Sequence, residues 1–97
     1  MPRVSDILPQ GEILAQLAEE ATELAQAALK LRRALDGTNP TPVSIQEAGD
    51  RLVEEIADVR VCESQLLGID WSIVEEVCKR KLGRWEGRLE AAGGMIG

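Results

Sequence analysis

From Leu14 to Leu35 the apolar residues recur in alternating steps of three and four: Leu14, Leu17, Ala21, Leu24, Ala28, Leu31 and Leu35. That spacing gathers side chains on one face of an α-helix and scatters them on a strand. A second series runs through Ile45, Ala48, Leu52, Ile56 and Val59 and continues to Leu66. No stretch alternates at period two over strand length, so the sequence predicts an all-α chain. Between the two series, 36–43 reads D-G-T-N-P-T-P-V, a loop whose two prolines forbid helix continuation. Two long helices joined by so short a loop form a helical hairpin.

The ends of the elements carry their own signals. Helix formers fill the first series from Glu12, Arg32 and Arg33 suit the dipole of its last turn, and Gly37 supplies the stop. About 24 residues of helix span roughly 36 Å. Ser44 followed by Glu47 has capping-box spacing for the second helix, and Gly68 ends it. Asp70 or Ser72 then caps a third helix from about Trp71 to Leu89, with Ile73, Val74, Val77, Cys78 and Leu82 on its apolar side. Residues 1–11 form an N-terminal segment with Pro2 and Pro9, in which Ile7 and Leu8 suit a short helical turn. Residues 93–97 are expected to fray.

At 97 residues the chain is one small domain over 1–97, near the lower limit for an adequate core. Its apolar content is mostly Ala, Leu, Val and Ile, with no Phe or Tyr. One hairpin of such small side chains buries only one side of each helix. The expectation is a homodimer, or a dimer of dimers, whose pairing completes a four-helix-bundle core. A formal net charge of −6 argues against sequence-independent binding to nucleic acid or to an anionic membrane. With no signal peptide and no membrane-spanning apolar run, a soluble cytoplasmic protein is expected. Cys62 and Cys78 are the two cysteines and there is no histidine, so a zinc ligand set cannot be assembled. Both cysteines read as reduced, packed small groups.

One acidic octet occurs twice. Leu17 to Leu24 reads L-A-E-E-A-T-E-L and Leu52 to Val59 reads L-V-E-E-I-A-D-V, aligned without a gap. Each helix therefore carries an acid pair at i, i+3 bordering its apolar stripe: Glu20 with Glu23, and Glu55 with Asp58. A single E-E-x-x-E usually marks a solvated face. Two pairs in the same register converge when the helices pack antiparallel, and like charges beside a core are costly unless a cation offsets them. Oxygen ligands without His or Cys select Mg²⁺, with Mn²⁺ as a substitute.

The pattern E-E-x-x-E, loop and helix, then E-E-x-x-D resembles the all-α, MazG-like nucleoside triphosphate pyrophosphohydrolases over about Leu14 to Arg88. The resemblance implies that Glu20, Glu23, Glu55 and Asp58 are metal ligands. It implies Mg²⁺-dependent hydrolysis between the α- and β-phosphates, giving a nucleoside monophosphate and pyrophosphate. Glu19 and Glu54 match acids that support the ligands or assist the attacking water. On the third helix, Lys81, Arg84 and Arg88 share a face, where the family contacts substrate phosphates; Arg84 stands where many members have Asn. Trp85, between them, could stack on a base. Salt bridges to Glu75, Glu76 or Glu86 are the plainer role for these cations, and packing the plainer role for Trp85 and Trp71. Lys30 and Arg33 follow the first acid pair on the same helix and could reach phosphates, with solvated surface the plainer role. Two alternatives stand: a phosphoribosyl-ATP pyrophosphohydrolase, which shares an E-E-A-T-E-like string, and a non-catalytic acidic helical dimerisation module.

Overall fold

A computed structural model describes residues 3–38 and 43–93. They form α1 (Val4–Ile7), α2 (Gln10–Asp36), α3 (Ile45–Ser64) and α4 (Trp71–Ala91), with no strand among the described residues. The all-α expectation holds. The middle of the loop expected over 36–43, the first two residues and the last four of the tail expected over 93–97 lie outside the described residues. The chain divides into two compact units, Met1–Leu67 and Gly68–Gly97. The first holds α1 to α3 and the second holds α4. No helix among the described residues is long and apolar enough to cross a membrane.

In the first unit the helix ends follow from the residues at them. Gly37 closes α2 at φ 70° and donates its N–H to the Arg33 carbonyl. A residue with a Cβ is strained in this left-handed region. Ser44 caps α3, its Oγ accepting the Glu47 N–H at 3.0 Å. The sequence extends this helix to Leu66, but it stops at Ser64, and a clasp of amides explains the difference. The Gln10 side chain donates to the Gln65 carbonyl at 3.1 Å and accepts the Leu67 N–H at 2.9 Å. The Gln65 side chain accepts the Ser5 N–H at 3.2 Å. Side chains from the start of the hairpin thus take over hydrogen bonds that another helical turn would have made. Gly68, at φ 76°, turns the chain beyond the helix rather than ending it.

The packing of α2 against α3 departs from the expected seam in an instructive way. The residues of α2 withdrawn from solvent are Gln10, Ile13, Leu17, Glu20, Leu24, Ala27, Leu31 and Ala34. Leu14, Ala21, Ala28 and Leu35 are exposed. On α3 the inward line is Ala48, Leu52, Glu55, Val59 and Cys62, while Ile45 and Ile56 are exposed. Both lines still step by three and four, but they lie one residue to the side of the most apolar path. The acids Glu20 and Glu55 do not border the seam; they stand in it. Leu17, Leu24 and Leu31 belong to both paths, so α2 has an apolar band wide enough for two neighbours, and α3 fills only one edge.

In the second unit, Asp70 caps α4. Its Oδ1 accepts the N–H groups of Ser72 and Ile73 at 3.0 and 3.4 Å and the Ser72 hydroxyl at 2.6 Å. The Ser72 hydroxyl first, and then the backbone N–H groups, hold the Asp70 carboxyl below its ordinary range. A lowered folded value means stability that is present above the ordinary carboxylate pKa and is lost as pH falls through the folded one. The helicity of α4 is therefore expected to weaken on acidification below about pH 4. Asp70→Asn keeps a capping oxygen and should remove this contribution to the acid limb, which circular dichroism against pH would read. No residue of α4 is buried; of its expected apolar side, Val74 and Val77 are half-buried, and Ile73, Cys78 and Leu82 are exposed.

Candidate metal centre

The repeated acids meet where α2 and α3 pack. Glu20 and Glu23, one turn apart on α2, and Glu55 on α3 each bring a carboxylate oxygen within 4.8 Å of the others. Glu55 is 2% exposed, Glu20 is half-buried and Glu23 faces solvent. The two inner carboxylates are held alike. Gln16 Nε2 donates to Glu20 Oε1 at 2.8 Å, and Arg51 Nε lies 3.0 Å from Glu55 Oε1. In both, the second oxygen, Oε2, is buried without a hydrogen-bond partner. Each carboxylate thus has one satisfied oxygen and one with no partner among the described residues.

Burying an unpaired carboxylate oxygen costs on the order of 1–3 kcal/mol or more, and the mutual repulsion adds to that. Oxygens on an octahedral Mg²⁺ lie about 2.9 Å apart when adjacent and about 4.2 Å when opposite, given bonds of 2.0–2.1 Å. The three carboxylates would draw together from separations of up to 4.8 Å to share one ion, and their all-oxygen donors suit a hard cation. The residues fit the group.

Asp58, the fourth expected ligand, is exposed one turn beyond Glu55 and does not belong to the group of three. Its charge is nevertheless felt on this side of the hairpin. Burial first, and then the charges of Glu20 and Asp58, push the Cys62 thiol above its ordinary value, which keeps it protonated and unreactive. Glu19 and Glu54 are exposed; Glu54 Oε2 lies 3.9 Å from Arg51 Nη1.

Two recesses flank the cluster. A cleft of about 460 Å³ is floored by Ala27 and Ala48 and walled by Glu23, Lys30, Glu47 and Arg51, within the usual range for small-molecule sites. It shares Glu23 with the cluster and Arg51 with Glu55. The other, of about 210 Å³, is mainly apolar and is lined by Leu8, Ile13, Val61 and Cys62, with Gln16 at its edge. In the second unit, Lys81, Arg84, Trp85 and Arg88 line one recess of about 310 Å³ on α4, so the i, i+3, i+4, i+7 spacing does gather them.

Sequence reasoning missed Gln16 and Arg51 and set Lys30 aside. The first two were visible as i, i+4 partners of Glu20 and Glu55. Lys30 gained interest only when the fold brought it to the same cleft as Arg51. No family model matches the sequence, and no curated protein and no solved structure matches it.

Proposed function

We propose that this chain is a MazG-like nucleoside triphosphate pyrophosphohydrolase that works with Mg²⁺, or with Mn²⁺ in its place. The observation that carries this reading is the pair of buried, partnerless Oε2 atoms of Glu20 and Glu55, set in a duplicated acidic motif. Glu20, Glu23 and Glu55 would hold the cation, with Asp58 as the fourth ligand. When bound, the cation offsets triphosphate charge and lowers the pKa of a coordinated water. Glu19 or Glu54 receives the proton of the attacking water. Water oxygen bonds to one phosphorus of the α–β bridge, the bond from that phosphorus to the bridging oxygen breaks, and nucleoside monophosphate and pyrophosphate part. The polar cleft suits the phosphates and the apolar hollow suits a base. The family resemblance also assigns Lys81, Arg84, Trp85 and Arg88, which line one recess of the second unit, to substrate binding.

A second copy completes the fold in this reading. The exposed edge of the apolar band, Leu14, Ala21, Ala28 and Leu35 on α2 with Val53 and Ile56 on α3, is what a homodimer would cover in a four-helix core. A panel of ribo- and deoxynucleoside triphosphates with phosphoribosyl-ATP, assayed for pyrophosphate release with Mg²⁺ and with chelator, tests the activity. Release from one or more nucleoside triphosphates, abolished by chelator, is the expected outcome. Turnover of phosphoribosyl-ATP alone would transfer the chain to that chemistry. No turnover, together with a flat calorimetric titration of Mg²⁺ and a non-hydrolysable nucleotide, would leave an acidic dimerisation module.

A further inference from the structure

Arg51 stands at the junction of two features that the metal-centre reading treats separately. Its Nε pairs with the inner carboxylate of Glu55 at 3.0 Å, and it also lines the 460 Å³ cleft together with Lys30. The two members of the pair are unequally buried. The Glu55 side chain is 3% exposed, whereas that of Arg51 is 60% exposed. Glu55 is fixed in the seam, and Arg51 can leave it by rotating into water.

A guanidinium there does for Glu55 what a divalent cation would do. It supplies positive charge and one bond to an otherwise uncompensated carboxylate. It serves only one oxygen, leaving Oε2 without a partner. A cation able to engage Glu20, Glu23 and Glu55 together would outcompete it and be repelled by it at close range. The released guanidinium has the cleft beside it, where Lys30 is the other cation, and a planar fork suited to phosphate oxygens.

We infer that Arg51 is an exchangeable counterion. It holds Glu55 in the metal-free protein, gives way when a divalent cation binds, and then serves with Lys30 as an anion subsite for the phosphate end of a substrate. Cation and phosphate therefore bind with positive coupling, because the first frees a ligand for the second. This inference rests on the metal-centre reading.

The test is calorimetry of the full chain, with Mg²⁺ alone and then with inorganic pyrophosphate at saturating Mg²⁺, on wild type, Arg51→Gln and Lys30→Gln. Removing the competitor should tighten Mg²⁺ binding to Arg51→Gln by about three- to tenfold, although its metal-free melting temperature falls. Pyrophosphate at saturating Mg²⁺ should bind about tenfold more weakly to Arg51→Gln, and less well to Lys30→Gln too. A residue that only braces the helix would lower the melting temperature without tightening Mg²⁺. Arg51→Lys, which keeps the charge and most of the volume, should fall between wild type and Arg51→Gln in Mg²⁺ affinity and secures the result if Arg51→Gln folds poorly. Equal Mg²⁺ affinity across these proteins, with Mg²⁺ bound, overturns the counterion role and leaves the metal centre standing. Absence of Mg²⁺ binding to wild type overturns both.

Discussion

Glu55→Gln is expected to cut pyrophosphate release by at least about a hundredfold while the helices stay intact and the metal-free protein melts no lower than wild type. The sign of the stability effect is the informative part. Glu55 is the most buried acid of the chain, with an unpaired oxygen beside Glu20 and Glu23. Gln keeps its volume and can donate into the cluster, so repulsion between carboxylates becomes a hydrogen bond. The lost partner of Arg51 costs little, since that guanidinium is mostly in water already. An acid placed for stability would behave oppositely, and its removal would lower the melting temperature. Asp58→Ala should also abolish turnover, with little effect on the fold because Asp58 is exposed. Steady-state kinetics with thermal melts in chelator would check both. Retained activity in the two variants would end the assignment of these acids.

Ala28→Arg is expected to halve the molecular mass in solution without loss of helix. Ala28 is exposed on α2, so a long cation there can extend into solvent in the lone hairpin. In a dimer built on the free edge of the band it would sit in a close-packed apolar contact, where an uncompensated charge costs several kcal/mol. Sedimentation equilibrium over a range of concentrations reads the outcome. A wild-type chain that is monomeric throughout would dispose of the dimer.

Much of the hairpin was open to reading because its signals are local. Gly37, Ser44 with Glu47, and Asp70 act within four residues of themselves, and periodicity needs only the sequence. The orientation of the helices about their own axes was another matter. Choosing the seam by apolarity favours Ala21 over Glu20 and Ile56 over Glu55, and on both helices the fold takes the acid instead. The same error twice, at equivalent positions of a repeated motif, has one cause. A rule that puts apolar residues inside fails where a seam position is held by a carboxylate. Arg51 was hidden for a different reason. Its partner is local, but its value comes from a cleft that exists only when α2 and α3 are packed.

The amide clasp at the far end of the hairpin has a bearing on how this scaffold can change. Gln10 and Gln65 tie the first turn of α2 to the chain just after α3, at the opposite end from the 36–43 connection. Register between the helices is thereby pinned away from the loop that joins them. Lengthening that connection should cost only its closure entropy, about 0.6 kcal/mol for each doubling. The cleft walled by Lys30 and Arg51 also includes Val43, at the edge of that same connection. Residues could thus be inserted beside this cleft without sliding one helix past the other.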